Sequence, residues 1–294
     1  MGDELSTITS EGRWITEPLA EGMVRQWRLD DVIWEGRTAF QHVVIGKTAQ
    51  GVSLFCDDDR QSTEFSQLTY HEALMVPGLL LADKVDRVLV VGSSEGVVCH
   101  MAVAAGATRV DHVDIDEECV RACARHLPYG YTPEEVDAAV AGDGPIKLHL
   151  TDGWQFLVDA VAAGEKYDIV LVDLPDEREE FAQHNRLYEA EFLRMARSVL
   201  APGGVVICQA GCQTMWRNTT LIRSWQRFGE VFDTVAYYGS DEHEWAYLFG
   251  RADSVADPTG KMVEALPSCG YRPETIDAEA LRGNTVPPFL VRTA

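Results

Sequence analysis

From Val85 onward the chain alternates between short apolar runs and longer stretches with apolar residues at helical spacing. The runs at 87–91, 109–114, 146–150, 168–173, 203–209, 231–238 and 244–250 have strand length, and 154–163 and 188–200 read as helices. Pro202-Gly203-Gly204 closes the second of these helices in a turn. This alternation predicts an α/β fold: a mainly parallel sheet with helices on both faces. Before Val85 the period shortens. Met23–Leu29, Phe40–Ile45 and Val52–Phe55 alternate, with Gly36, Gly46 and Gly51 as punctuation, which predicts a small antiparallel β unit. The helical spacing of Tyr70–Ala82 bridges the two parts. The expected division is therefore a β domain over residues 1–73 and an α/β domain over 74–294.

Sheets of this kind bind ligands at the carboxyl ends of their strands. Those ends carry Gly92, Asp114, Asp152, Asp173 and Gln209. The run Val88–Val91 passes into Gly92-Ser-Ser-Glu-Gly96, a turn able to bring backbone N–H groups close to a nucleoside. Asp114 follows Gly96 by 18 residues, close to the roughly 20 at which an acid meets ribose hydroxyls. Asp152 either caps the helix at 154–163 or accepts from an adenine amino group. Asp173 and Asp176 either hold an ammonium group and take a proton from it, or belong to a solvated acidic loop with Glu177, Glu179 and Glu180.

A chain of 294 residues with 46% apolar content contains no apolar run long enough to span a bilayer as a helix. Its first fifteen residues lack a basic stretch followed by an apolar one, which argues against export. The seven cysteines lack paired zinc spacing and read as reduced thiols; no metal site and a cytoplasmic location are expected. The formal charge of −22 excludes a nucleic-acid partner, and no membrane partner is expected. The seven tryptophans read mainly as packing residues, with Trp14 and Trp245 the best placed to line a pocket.

Ordered motifs along residues 13–290 resemble the spermidine synthases, the polyamine aminopropyltransferases. They are Trp14-Ile-Thr-Glu17, Arg37-Thr-Ala-Phe-Gln41, Asp57 with Gln61, Tyr70-His-Glu72, Gly92–Gly96, Asp114-Ile115-Asp116, Asp152-Gly153, Asp173 with Asp176, Leu187–Phe192, Gln209-Ala-Gly211 and Pro287-Pro-Phe289. The resemblance implies a Rossmann-like domain, similar to class I S-adenosylmethionine-dependent methyltransferases, behind a small β domain. It also implies a homodimer acting on a small-molecule acceptor with a sulfonium nucleoside donor. By that resemblance Gln41, Gly92, Ser93, Ser94, Glu95, Gly96, Asp114, Ile115, Asp152, Gly153 and Asp173 hold the donor. Asp173 is then the base and Asp176 its companion. Gln61, Tyr70, His71 and Gln209 place the acceptor, joined by Trp14, Trp245 and Ser240.

The acceptor half departs from the family pattern: Asp58-Asp59-Arg60 replaces a glycine and apolar residues, and Ser240 stands where a tyrosine is usual. Arg60 either binds an acceptor carboxylate or pairs with Asp58 or Asp59. Ser93 and Ser94 either donate to the carboxylate tail of intact S-adenosylmethionine or only hold the turn. These departures tilt the expectation to methyl transfer from S-adenosylmethionine to a small carboxylate-bearing metabolite. Aminopropyl transfer from decarboxylated S-adenosylmethionine to a diamine is the alternative, and nucleoside binding without catalysis the third reading.

Overall fold

The computed structural model describes residues 8–9, 12–177, 182–212, 218–239, 242 and 244–294. Strands β1 (Ile8–Thr9), β2 (Gly12–Ala20) and β3 (Met23–Leu29) form one antiparallel sheet. Strands β4 (Asp31–Arg37), β5 (His42–Thr48), β6 (Gly51–Cys56) and β7 (Asp59–Thr63) form a second. Ile15 and Leu29 of the first meet Val44 and Phe55 of the second, which joins the two sheets through one small core.

Helix α1 (Gln67–Leu81) follows, three residues earlier than the apolar spacing predicts. Every residue from His71 to Leu81 is buried, as a helix apolar on all sides must be. The α/β part then runs β8 (Arg87–Gly92), α2 (Val97–Ala104), β9 (Arg109–Asp114), α3 (Glu117–His126), α4 (Pro133–Ala141), β10 (Ile146–Leu150), α5 (Gly153–Ala163) and β11 (Tyr167–Asp173). After a short 3-10 turn at Gln183–Tyr188 come α6 (Ala190–Ser198), β12 (Leu200–Cys212), α7 (Thr219–Val231), β13 (Thr234–Tyr238), β14 (Trp245–Arg251), α8 (Pro258–Ala265), α9 (Ala278–Asn284) and α10 (Phe289–Arg292).

The seven-stranded sheet has the order β10-β9-β8-β11-β12-β14-β13. Its first five strands are parallel, while β14 runs antiparallel to both neighbours. Side chains alternate across β8: Val88 and Val90 enter the core beneath α1 and α2, whereas Leu89 and Val91 enter the core beneath α5 and α6. A strand buried on both faces is an unbroken apolar run, which is why β8 stands out in the sequence. Pro202-Gly203-Gly204 does not separate helix from strand. It lies within β12, in the register shift between the Tyr167–Leu200 and Ile169–Val205 pairs.

The antiparallel sheet β4–β7 lays Val43, Ile45, Leu54 and Cys56 on Cys119, Ala122 and Cys123 of α3. This places the sheet over the carboxyl ends of β8 and β9. At the other end Glu72, fully buried on α1, accepts from Tyr271 Oη, Glu274 N, Thr275 N and Thr275 Oγ1 at 2.6–2.9 Å. The segment before α9 is thereby fastened to the helix that carries Tyr70. Among the described residues, no helix is long and apolar enough to cross a membrane.

Candidate active site

The chain leaves β8 toward β9 and β10 on one side and returns through β11 and β12 on the other, so the direction of winding reverses between β8 and β11. A crevice opens at such a point. It holds a cavity of about 360 Å³. Its floor is Gly92, Ser93, Ser94 and Glu95 from the turn after β8, with Asp114, Ile115 and Asp116 from the end of β9. Asp152 and Gly153 border it after β10, Asp173 after β11, and Gln41 from the N-terminal unit.

The turn is fixed by a backbone that only a residue without Cβ can follow. Gly92 has φ +83°, and a Cβ there would stand 2.1 Å from the carbonyl oxygen of Asp173. Ser93 continues in the left-handed region at φ 63° and donates its N–H to that same carbonyl at 2.9 Å. Gly96, also left-handed, packs under the Tyr131 ring as the cap of α2 and does not line the cavity.

Asp114 accepts from Ser94 Oγ at 2.8 Å and from the N–H of Asp116 at 2.8 Å. Burial pushes its carboxyl up to about 7. Ser94 is thus committed to Asp114 and does not supply a free hydroxyl for a carboxylate tail. Gln41 donates to Asp116 at 2.9 Å, beside Thr38 at 2.7 Å, and so ties the N-terminal unit to the cavity mouth. Asp152 caps α5 through Gln155 N at 3.0 Å and also takes the Arg186 guanidinium. Its capping reading is therefore realised, with Arg186 as an unforeseen partner.

Asp173 accepts from Tyr70 Oη at 2.6 Å. Burial raises its carboxyl above the ordinary range despite that bond, and the nearby Glu95 charge adds to the effect. Burial likewise raises Glu95. The Tyr70 phenol is pushed far up by burial and by Asp173, so it stays protonated and donates. A second cavity of about 230 Å³ begins where the first ends, the two sharing Gln61 and Tyr70. Arg60, Glu242, Glu244, Trp245 and Tyr247 line it. Trp245 and Tyr247 meet the Tyr70 ring edge-on at 5.6 and 5.5 Å.

Other expectations change. Asp176 lines neither cavity; its carboxylate is buried against Gln209 and Trp245, which makes it a support for Trp245. Gln209, 2% exposed, lies beneath the site and takes the Tyr188 hydroxyl at 3.3 Å. His71 is buried behind Tyr70 with Nδ1 2.7 Å from the Gln67 carbonyl, and burial lowers its pKa. Trp14 stays out of both cavities, one residue out of phase with the inward-facing Ile15 and Glu17. Trp27 is the indole of that sheet that reaches inward, donating to Glu17 at 2.6 Å. Glu177 is not solvated, because Arg227 grips it with two hydrogen bonds. Ser240 lies outside the described residues, as do 178–181 of the acidic segment 176–186. The part just after them, Ala182 to His184, lines the first cavity with Leu187.

Arg60 has a partner that the sequence does not suggest. It is 4% exposed and pairs with Glu244. Its guanidinium carbon stands 4.8 Å from the Trp245 ring and 5.4 Å from that of Trp27. The partners are distant in sequence, so only the fold reveals them.

A family model described as the spermine/spermidine synthase domain matches residues 67–240. The chain belongs to the spermine/spermidine synthase family. The polyamine aminopropyltransferase of Aeropyrum pernix is 30% identical over 263 residues, covering 86% of this chain and 79% of the relative. Polyamine aminopropyltransferase 2 of Hyperthermus butylicus is 31% identical over 268 residues, covering 88% and 84%. In fold, the chain is similar to a crystal structure of spermidine synthase in complex with the transition-state analogue AdoDATO, with TM-score 0.81 and 17% identity over 95% of this chain and 94% of the other. It is likewise similar to spermidine synthase from Thermotoga maritima, with TM-score 0.78 and 16% identity over 95% and 93%. As a member of this family the chain is a transferase acting on small molecules. Methyl transfer finds no support in these comparisons.

Proposed function

We propose that this protein transfers an aminopropyl group from decarboxylated S-adenosylmethionine to a small amine. The observation that carries the reading is the buried Tyr70–Asp173 hydrogen bond at the junction of the two cavities. A carboxyl raised by burial and oriented by a fixed phenol suits removal of a proton from an ammonium before it attacks, or from an amine as it attacks.

The first cavity fits the donor. Asp114 stands where ribose hydroxyls would donate, and the glycine turn lets the backbone approach. Glu95 and Asp173 present carboxylates, which complement an ammonium tail and would repel a carboxylate one. When bound, the donor supplies a sulfonium: the amine nitrogen bonds to the adjacent propyl carbon as the carbon–sulfur bond breaks, and the electron pair stays on sulfur. Asp173 receives the proton that the nitrogen sheds. Tyr70 holds the Asp173 carboxylate in place, and Trp245, itself held by Asp176, forms the wall along which the acceptor lies. The homodimer belongs to the same proposal by family resemblance, and analytical ultracentrifugation measures it.

Calorimetric titration with the two donors tests the assignment. The decarboxylated donor is expected to bind at least tenfold tighter, about 1.4 kcal/mol, and incubation with a diamine should yield an aminopropylated product. Tighter binding of intact S-adenosylmethionine, with a methylated product, would overturn the reading.

A further inference from the structure

We propose that Arg60 limits the length of the amine acceptor, because its guanidinium fills, from within the chain, an aromatic and carboxylate box that borders the second cavity. This inference rests on the aminopropyl reading above and names the acceptor class: short diamines whose far ammonium stops before the Arg60 box.

Two indole rings and a carboxylate around one cation form an arrangement that binds an alkylammonium well. Here the cation is Arg60, held between Trp245 at 4.8 Å and Trp27 at 5.4 Å and paired with Glu244. The planar guanidinium stacks on such rings and tolerates burial better than an ammonium does. Glu244 also holds Arg25 at 2.7 Å, and Arg25 lies 3.6 Å from Glu17. Glu244 is thus matched by two arginines, Arg60 and Arg25. A second substrate ammonium arriving at Glu244 would meet the Arg60 guanidinium already seated on that carboxylate.

The reacting end lies close by. Tyr70, which holds Asp173, touches the same Trp245 ring that Arg60 covers, with ring centroids 5.6 Å apart. Gln61, the next residue after Arg60, borders both cavities. The strand that carries the plug therefore also borders the place of reaction, and a long acceptor would have to displace Arg60 to fit.

The test is the length profile of kcat/KM with decarboxylated donor and straight-chain α,ω-diamines from propane- to octanediamine, in native protein, Arg60→Ala, Arg60→Gln and Arg60→Lys. Native protein should favour the short diamines. In Arg60→Ala, or in Arg60→Gln if the alanine variant does not fold, the ratio of long to short should rise at least tenfold, while Arg60→Lys keeps the native order. Equal profiles in native protein and both charge-removing variants, within twofold, would overturn the inference with the aminopropyl reading left standing. Absence of aminopropyl transfer by native protein to every diamine would overturn the aminopropyl reading and this inference with it, a result distinct from equal profiles.

Discussion

At the scale of single residues, the site divides the work between two strand-end carboxylates. Asp173, bonded to Tyr70 at 2.6 Å, should behave as the base. Asp173→Asn is expected to slow the chemical step by roughly 10²–10⁴-fold with donor affinity near native, read by rapid-quench kinetics beside calorimetry. A loss under about tenfold would remove the base assignment. Asp114 gives a pH signature. Burial holds its carboxyl at about 7, whereas the unfolded chain sheds that proton near pH ~4. The proton therefore stabilises the fold fully below the ordinary carboxyl range, and this contribution is lost as pH rises through about 7. Ribose hydroxyls need the ionised form, so donor affinity should climb with pH up to about 7 and level off above it, with proton release on binding below that point. Calorimetry in buffers of different ionisation heat measures this, and Asp114→Asn should flatten the profile and weaken binding by about 1.5–3 kcal/mol. Both carboxylates are legible in the sequence because a fully buried strand announces its own end. The Arg60 box is not, since Trp27 and the adjacent pair Glu244 and Trp245 lie far from Arg60 and from each other along the chain, and only tertiary packing brings them to one guanidinium.

Among the elements, the turn from β8 to α2 is the least tolerant of change. Gly92→Ala would force a Cβ within 2.1 Å of the Asp173 carbonyl in a left-handed backbone, which strains the turn by about 1–3 kcal/mol. It should lower the melting temperature and abolish donor binding together, read by thermal scans with and without donor. Strands β8 and β11 are read from sequence to within a residue, because both faces are buried and the apolar run coincides with the strand. The strand expected at 231–238 starts instead at Thr234, because Val231 and Phe232 pack in the core as the end of α7 and prolong the apolar run. Strand β7 is nearly all polar and carries no apolar signal. Helix α4 buries only Val136 and Ala139; its signature is the capping box of Thr132 and Glu135 and not a stripe. The Glu72 latch is equally silent in one dimension. Glu72→Ala should cost about 3 kcal/mol through four orphaned donors, seen as a lower denaturation midpoint.

For the molecule as a whole, the net charge of −22 should steer cationic substrates toward the crevice. Raising ionic strength from about 0.01 to 0.15 M shortens the Debye length from about 30 to 8 Å. The value of kcat/KM for a diamine should then fall about tenfold with kcat nearly constant; a flat response would mean that the field does not reach the acceptor route. The antiparallel course of β14 has a different kind of consequence. Because β14 runs against β12, its first residues, not its last, stand at the edge where the parallel strands end. The acceptor wall is therefore built from the N-terminal sheets, the start of α1 and the entrance to β14, whereas the stretch from Gly92 to Gly153 supplies the largest share of the donor cradle. The two halves of the site draw on largely different segments. Exchanging residues 244–247, which border the second cavity alone, with those of a relative should shift acceptor preference and leave donor affinity unchanged, so a lineage can try new amines without putting its nucleoside chemistry at risk.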